Sequence, residues 1–260
     1  MEDDRLRPFI ETPESCALFT DFDGTLSEIV DDPAAARPMP GAVEALGKLA
    51  RRLALVGIVS GRSAQQLLEW LGPDVEIWGV HGAERVVGGR VEPAEGVAPY
   101  LARMQDVRDE ARRRLSEVPG ILVEDKRSVI GLHYRQAQDP AAAAGFVEGV
   151  ARELASAHDL SIGTGRMVVE LRPPLAFSKA DVVRTRTLQT RAQAVAFIGD
   201  DLVDLPAFET LDELEAGGRS CLRVGVSSDE APDELLVRAD LVVQGPRGVV
   251  SFLESLVAGL

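Results

Sequence analysis

Short apolar runs alternate with longer amphipathic stretches over the first third of the chain. Three of these runs are continuous and bounded by turn residues, which is typical of buried strands: residues 16–19, 53–59 and 75–80. Between the first two, residues 41–53 carry apolar side chains at helical spacing, and Ser63 is placed to cap a second helix that runs to residue 71. Strands separated by helices of this length predict right-handed βαβ units and a parallel sheet.

The pattern changes in the middle of the chain. Here two long helical stretches are each followed by a pair of strand-like runs: helices at residues 97–117 and 141–158, and strands at 121–124, 129–135, 160–162 and 167–171. This doubled helix–strand–strand unit predicts a small α+β layer, a sheet with helices on one side. Because a doubly wound sheet does not need the segment, we predict an inserted domain at residues 96–172.

The earlier alternation resumes after Pro173-Pro174. It predicts a helix, three short strands and a final helix: residues 179–189, 195–198, 222–226, 241–243 and 249–257. We therefore predict an α/β fold. Its doubly wound parallel-sheet core comprises residues 1–95 and 173–260, and the α+β insert lies between them.

The charge balance narrows the range of partners. The formal charge of −14 disfavours nucleic acid and anionic membranes, because both need clustered Lys and Arg. A small anionic substrate is still compatible with this net charge if the binding site supplies its own positive charge. Cys16 and Cys221 lack metal-ligand spacing and disulfide density, which fits a reducing cytosol. Segment 1–7 is charged, unlike a signal peptide, and no run of about 18 apolar residues occurs, so we expect neither secretion nor a membrane span but a cytoplasmic protein. We also expect a monomer.

Two carboxylates follow the first predicted strand. Asp21 and Asp23 lie two residues apart on an extended backbone, so both side chains leave on the same face. A carboxylate is a competent nucleophile towards phosphorus, and a second one can protonate the departing alkoxide. Gly24 allows a sharp turn that exposes backbone N–H groups. The alternative is an ordinary Asp-Gly turn after a core strand.

Three further loops carry polar residues at predicted strand ends or helix starts: Ser60-Gly61, Lys179 and Asp200-Asp201 with Asp204. Strand ends gather at one edge of a parallel sheet, so these groups can meet. Clustered carboxylates beside a phosphate dianion need a cation, and oxygen-only ligands favour Mg²⁺. Lys179 would add positive charge, and Ser60 with adjacent N–H groups would bind a phosphoryl oxygen. Taken singly, these features also suit a helix start, a solvated lysine and a turn.

At this point the chain resembles the haloacid-dehalogenase superfamily of phosphotransferases. The four motifs of that superfamily are matched in order along the chain: Asp21-Phe-Asp-Gly-Thr25, Ser60, Lys179 and Gly199-Asp-Asp-Leu-Val-Asp204. The insert between Ser60 and Lys179 resembles the type 2 cap of the superfamily, which closes over the site and selects the substrate.

This resemblance implies roles for individual residues. Asp21 is implied to be the nucleophile and Asp23 the general acid/base, with Ser60 and Lys179 on the phosphoryl group. Mg²⁺ is implied to bind Asp21, the carbonyl of Asp23 and Asp200. The remaining acidic-loop residues are implied to be supporting groups: Asp201 and Asp204.

Within the superfamily, the chain is most similar to the trehalose-6-phosphate phosphatases. The residues behind this similarity run through most of the chain: Val59-Ser-Gly-Arg62, Val80-His-Gly-Ala-Glu84, Glu124-Asp-Lys126, His133-Tyr-Arg135, Met167-Val-Val-Glu-Leu-Arg-Pro173, Ile198-Gly-Asp-Asp201 and Gly245-Pro-Arg-Gly-Val-Val250. Three departures from the family pattern occur, at Ala180, at Val203 and at Leu205-Pro206.

The similarity also implies substrate-binding residues. In the first part of the chain these are Gly61 and Arg62. In the insert, Glu124, Lys126, Arg135 and Glu170 are implied to hold sugar hydroxyls, which suits a polyol that needs fixed donors and acceptors. The alternative for the insert residues is a set of cross-strand ion pairs on an exposed sheet face.

The expected activity is Mg²⁺-dependent hydrolysis of trehalose 6-phosphate to trehalose and phosphate through an aspartyl-phosphate. Two alternatives stay open within enzymes, namely a phosphatase for another sugar or polyol phosphate (such as the sucrose-phosphate or mannosyl-3-phosphoglycerate type) and a phosphosugar mutase. A third alternative is a non-catalytic protein that binds a phosphosugar. The Asp21 and Asp23 pair argues against it.

Overall fold

The computed structural model describes residues 4–30, 32–165 and 167–260. The prediction for segment 1–7 therefore falls partly outside the described residues, at 1–3. The chain divides into two compact units: the first runs to Val91 and resumes over Phe177–Leu260, and the second is Glu92–Ala176. The predicted domain boundaries, at 95/96 and 172/173, lie a few residues from these divisions.

The helices and strands follow in chain order. The first part of the chain forms α1 (Arg7–Glu11), β1 (Cys16–Thr20), α2 (Ala42–Ala50), β2 (Leu55–Val59), α3 (Ala64–Leu71), β3 (Glu76–Gly79), β4 (Glu84–Val87) and β5 (Arg90–Pro93). The second unit forms α4 (Leu101–Leu115), β6 (Leu122–Asp125), β7 (Ile130–His133), α5 (Pro140–His158), β8 (Ser161–Gly165) and β9 (Val168–Arg172). The last part forms α6 (Lys179–Thr190), β10 (Ala194–Gly199), α7 (Leu205–Ala216), β11 (Ser220–Ser227), α8 (Asp233–Arg238), β12 (Leu241–Gln244) and α9 (Gly245–Gly259).

The first unit is built on an eight-stranded sheet in the order β12-β11-β10-β1-β2-β3-β4-β5. The six strands from β12 to β3 are parallel, and β4 is antiparallel to β3. Successive side chains of β1 enter different cores: Leu18 packs with α2, α3 and α9, whereas Phe19 packs with α6, α7 and α8. Helices thus cover both faces, which confirms the predicted doubly wound α/β core and explains its continuous apolar strands.

The second unit is a four-stranded antiparallel sheet in the order β6-β7-β9-β8. Leu132 and Leu171 on one face share a core with Val107 of α4 and Leu154 of α5. The two helices therefore lie on the same side of the sheet, and the predicted α+β layer is confirmed.

Three helices of the first unit were not predicted from the sequence: α1, α7 and α8. Helix α7 begins with Leu205 and Pro206 in its opening turn, where proline suits a helix start. The departure from the family pattern at Leu205-Pro206 therefore coincides with the start of a helix. The predicted cap at Ser63 is confirmed, because its hydroxyl accepts a hydrogen bond from Gln66 N at 3.3 Å. No helix in the described part of the chain is both long enough and apolar enough to cross a bilayer.

Candidate active site

Three neighbouring strand ends of the first unit carry predicted site residues. Strand β1 pairs in parallel with β2 on one side and with β10 on the other. Asp21 comes directly after β1, Ser60 directly after β2 and Asp200 directly after β10. The parallel register therefore brings these three residues to the same edge of the sheet, where open α/β sheets bind ligands.

Lys179 is the first residue of α6, and its side chain is buried between two carboxylates. Its Nζ lies 2.9 Å from Asp21 Oδ1 and 2.7 Å from Asp204 Oδ1, and the side chain is 2% exposed. Burial alone would lower the pKa of Lys179, but the charges of Asp204 and Asp21 outweigh it and raise the pKa. Lys179 is therefore not a solvated helix residue but a fixed positive charge on Asp21.

The acidic loop after β10 is ordered by its own side chains. Asp204 Oδ2 accepts hydrogen bonds from Asp200 N at 3.0 Å and Asp201 N at 3.2 Å. Asp201 Oδ1 in turn accepts from Leu202 N at 2.7 Å. Asp201 and Asp204 also form a capping box, in which the side chain of each residue accepts from the backbone N–H of the other. Asp201 and Asp204 thus shape the loop that presents the Asp200 carboxylate.

Asp21, Asp200 and Asp204 form a buried acidic cluster whose candidate ligand atoms lie within 4.8 Å of one another. Burial raises the pKa of Asp21 and of Asp200, and the charges of neighbouring carboxylates, Asp204 among them, add to both shifts. The Asp200 carboxylate is held from the side by Thr25 Oγ1, which donates to Oδ1 at 3.1 Å. This oxygen-only, charge-rich set fits a hard divalent cation, which would offset the repulsion.

The turn after β1 leaves no room for a side chain beside the cluster. Gly24 has φ +72°, and a Cβ at this position would lie 2.0 Å from Asp200 Oδ2. Glycine is therefore required here both for its backbone conformation and for the close approach of the Asp200 carboxylate.

Asp23 is paired with Arg62 rather than with the acidic cluster. The guanidinium makes a two-pronged contact with the carboxylate, with Nε 2.8 Å from Oδ2 and Nη2 2.7 Å from Oδ1. Arg62 also lies over the rings of Phe22 and Trp70, with its Cζ 5.7 and 5.1 Å from their centroids. Stacking and pairing together fix the plane of the guanidinium and hence of the Asp23 carboxylate.

The candidate sugar-binding residues belong to the second unit. Lys126 Nζ lies 2.9 Å from Glu170 Oε1 and 3.6 Å from Glu124 Oε2. The side chains of Lys126 and Glu170 are each 11% exposed, so this pair does not lie on an exposed sheet face. Glu124 also contacts His133 Nε2 at 2.8 Å. Arg135 is half-buried beyond the end of β7.

Comparison with known proteins identifies the family. The family model described as Trehalose-phosphatase matches residues 19–236. The chain belongs to the trehalose-phosphatase family. This confirms the resemblance found in the sequence motifs.

The similar proteins agree with this assignment. Trehalose-phosphate phosphatase of Mycobacterium marinum is 37% identical over 202 residues, which are 75% of this chain and 51% of the relative. The enzyme of the same name from Mycobacterium leprae is 35% identical over 222 residues, 80% of this chain and 50% of the relative. The chain thus spans about half the length of the curated relatives it matches.

Comparison with solved structures supports the fold of this chain but not its activity. The C-terminal domain of a trehalose-6-phosphate phosphatase from C. albicans superposes with a TM-score of 0.78 at 23% identity and covers 99% of this chain and 98% of its own. A haloacid dehalogenase-like hydrolase from Bacteroides thetaiotaomicron gives a TM-score of 0.65 at 15% identity, covering 92% and 98%. The trehalose-phosphatase core is therefore haloacid-dehalogenase-like.

Two residues that contact candidate site residues were not singled out from the sequence, Thr25 in the first unit and His133 in the second. Thr25 orients Asp200, and His133 contacts Glu124. Both lie within motifs that carry the family resemblance, but each contacts a residue from a separate element or loop, and such contacts leave no periodic signal in the sequence.

The acidic cluster should make the melting temperature depend on pH and on Mg²⁺. We expect high pH without metal to favour Asp200→Asn over the wild type, and Mg²⁺ to favour the wild type. The ordinary pKa of Asp200 is 3.8, and burial with the charges of Asp21 and Asp204 raises it to about 8 in the folded protein. The stability that Asp200 contributes in the metal-free protein is therefore fully present below the ordinary pKa and lost as the pH rises through about 8. In EDTA, Asp200→Asn should match the wild-type melting temperature at pH 5 and exceed it by several degrees at pH 9.

Addition of Mg²⁺ at pH 9 should reverse this order. The wild-type protein should gain melting temperature, because the cation offsets the carboxylate repulsion, whereas Asp200→Asn should not respond. Asp74→Asn, at an exposed carboxylate outside the cluster, is the matched control and should keep the Mg²⁺ response. Equal stabilisation of Asp200→Asn and wild type by Mg²⁺ would exclude Asp200 as a ligand.

Proposed function

We propose that this chain is a Mg²⁺-dependent phosphatase that hydrolyses trehalose 6-phosphate to trehalose and phosphate through a phosphorylated Asp21. The contact of Lys179 with both Asp21 and the acidic loop is the observation that carries the proposal. Membership of the trehalose-phosphatase family and the names of the curated relatives support the substrate. We also expect the protein to be cytoplasmic and monomeric, with neither nucleic acid nor a membrane as partner.

The metal site of the proposal uses residues of the first unit. Asp21, Asp200 and the backbone carbonyl of Asp23 would hold Mg²⁺, and Asp201 and Asp204 would support them. When bound, the cation neutralises negative charge on the phosphoryl oxygens and on the carboxylates.

The reacting groups are residues of the chain itself. Lys179 holds Asp21 Oδ1, which orients the carboxylate for attack on phosphorus and offsets charge on the phosphoryl oxygens. Asp23 gives a proton to the departing sugar oxygen and later takes one from the water that cleaves the acyl phosphate. The Ser60 hydroxyl and the N–H groups beside Gly61 bind a phosphoryl oxygen. Arg62 fixes the Asp23 carboxylate at the rim of this loop.

The sugar is assigned to the second unit. Lys126, Glu124 and Glu170 hold one another through charged contacts, so their donors and acceptors are already oriented for hydroxyl groups. Arg135 would complete this set. Oriented groups of this kind discriminate strongly against sugars that leave them unpaired.

The test is a phosphate-release assay on a panel of substrates with and without EDTA. Trehalose 6-phosphate should be turned over best, and EDTA should abolish turnover. Faster hydrolysis of another sugar phosphate would overturn the substrate assignment. Binding of trehalose 6-phosphate without turnover of any substrate would favour a non-catalytic role. The fold also occurs in a protein named as regulatory, the C-terminal domain of a C. albicans trehalose synthase regulatory protein, with a TM-score of 0.65 at 14% identity over 96% of each chain.

The sugar assignment predicts a substrate-dependent loss in Glu170→Gln. The change removes the charge that faces Lys126, so KM for trehalose 6-phosphate should rise about tenfold or more, while KM for p-nitrophenyl phosphate stays near the wild-type value. Glu153→Gln, on the exposed side of α5, is the control. An equal rise for both substrates would contradict the assignment of Glu170 to the sugar.

A further inference from the structure

Residues 78–81, which form the end of β3 and the start of its connection to β4, are hydrogen-bonded to the loop that contains Ser60. Ser60 N donates to Trp78 O at 3.1 Å, and Ser60 O accepts from His81 N at 2.8 Å. Arg62 O accepts from Val80 N at 2.8 Å. One segment of chain therefore satisfies both backbone groups of Ser60 and the carbonyl of Arg62, so it sets the path of that loop.

Two residues of the segment that is hydrogen-bonded to the Ser60 loop are held in a strained conformation. Val80 has φ +50° and His81 has φ +56°, so two consecutive non-glycine residues are left-handed, and one of them is β-branched. Such a conformation is unfavourable and persists only where the surroundings enforce it, which is most common at functional sites. The strain lies in the turn that contacts the Ser60 loop and not at a distance from it.

Residues of the same segment, and Glu84 after it, also pack against the Ser60 loop and the start of α3. A Cβ at Gly61 would lie 2.8 Å from His81 Nε2, so the imidazole packs directly against the Cα of Gly61. A Cβ at Gly79 would lie 2.2 Å from Ala64 N, the first residue of α3. Glu84 is 1% exposed and accepts a hydrogen bond from Ala64 N at 3.1 Å. The loop is thus confined on one side by a ring and at its end by a buried carboxylate.

We propose that His81 and Glu84 are positioning residues that hold the Ser60–Arg62 loop in the conformation that binds the phosphoryl group. The proposal rests on the proposed function, in which Ser60 and Gly61 contact that group. Ser60 Oγ accepts from Arg62 N at 3.2 Å, which fixes the position of the oxygen and leaves its one hydroxyl proton to be donated to a ligand. Both the hydroxyl and the nearby N–H groups lose their alignment if the loop moves.

This role predicts a loss that depends on the phosphate and not on the sugar. In His81→Ala and in Glu84→Ala, the Kd of inorganic phosphate should rise about tenfold, as expected for the loss of about one well-aligned hydrogen bond. KM should rise in parallel for trehalose 6-phosphate and p-nitrophenyl phosphate. The Kd of Mg²⁺ should be unchanged, because the acidic cluster is carried by β1 and β10.

The experiment measures binding of inorganic phosphate and Mg²⁺ by calorimetry, together with turnover of both substrates. Gln65→Ala, on the outer side of α3, is the control and should behave as wild type. If Glu84→Ala does not fold, His81→Asn carries the test, since asparagine tolerates a left-handed backbone and removes the ring from Gly61. Glu84→Gln keeps an acceptor for Ala64 N and should restore part of the phosphate affinity.

The outcomes separate this proposal from the proposed function. Unchanged phosphate affinity in folded His81→Ala or His81→Asn would overturn the positioning role even if the wild type is an active phosphatase. Equal losses of phosphate and Mg²⁺ affinity would also overturn it, because they indicate a general loosening of the core. An inactive wild type that still binds phosphate more tightly than His81→Asn would overturn the phosphatase proposal, but it would support the positioning role of His81.

Discussion

Asp21→Asn is expected to lower kcat for trehalose 6-phosphate by about a thousandfold or more, the largest effect of any substitution considered. An amide is not a nucleophile, whereas its size and its ability to accept a hydrogen bond from Lys179 are kept. The folded structure should therefore survive, and the loss should lie in the chemical step. Binding of trehalose 6-phosphate should be retained, because the proposed sugar ligands belong to the second unit.

The assignment of Asp21 can be checked directly on the protein. Acid quenching during turnover followed by mass spectrometry should find phosphate on the peptide that carries Asp21 in the wild type and none in the variant. Asp74→Asn, an exposed carboxylate in a loop before β3, is the matched control and should turn over substrate at the wild-type rate. Retained activity in Asp21→Asn, or phosphate on another peptide, would mean that the nucleophile is wrongly assigned.

The parallel core could be predicted because its strands are buried on both faces. Leu18 and Phe19 enter opposite cores, so β1 lacks polar alternation and stands out as an apolar run. The α+β layer was also visible, since its helices and strands repeat in order. In both cases the physical cause of the pattern is burial of one element against another.

Helix α7 was missed although its apolar residues have a regular spacing. Phe208, Leu211 and Leu214 follow one another at three-residue intervals and are buried against the sheet. The acidic loop before the helix is itself typical of a turn, and Pro206 is compatible with the first turn of a helix. Pattern reasoning therefore failed here at a helix start, where local signals for turn and helix coincide.

The site residues were visible as motifs, but their pairing was not. The motifs predict that Lys179 neutralises Asp21 at the sheet edge, yet they do not specify that its Nζ also contacts Asp204 of the acidic loop. The pairing of Asp23 with Arg62 likewise joins side chains from different loops. Such contacts depend on register and side-chain direction in three dimensions, which a one-dimensional pattern does not carry.

The bridge made by Lys179 predicts a large loss of stability in Lys179→Met. The substitution keeps the aliphatic length of the side chain but leaves two buried carboxylates without their cation. Breaking a buried ion pair by removal of one partner lowers the free energy of unfolding by about 3–5 kcal/mol. Urea denaturation in EDTA at pH 8 measures this loss. At pH 5 the loss should be smaller, because Asp21, whose pKa is raised by burial, can take up a proton.

A second substitution separates the charge effect from a packing effect. Adding Asp204→Asn to Lys179→Met removes one of the two unpaired charges, and the amide oxygen can still accept from Asp200 N and Asp201 N. The double variant should therefore be more stable than Lys179→Met, yet remain inactive, because Asp21 lacks its positive partner. A double variant less stable than the single one would show that Asp204 serves mainly as an acceptor for the loop N–H groups. Stability and activity would then depend on Lys179 for different reasons, and the bridge would not be the element that joins nucleophile and acidic loop.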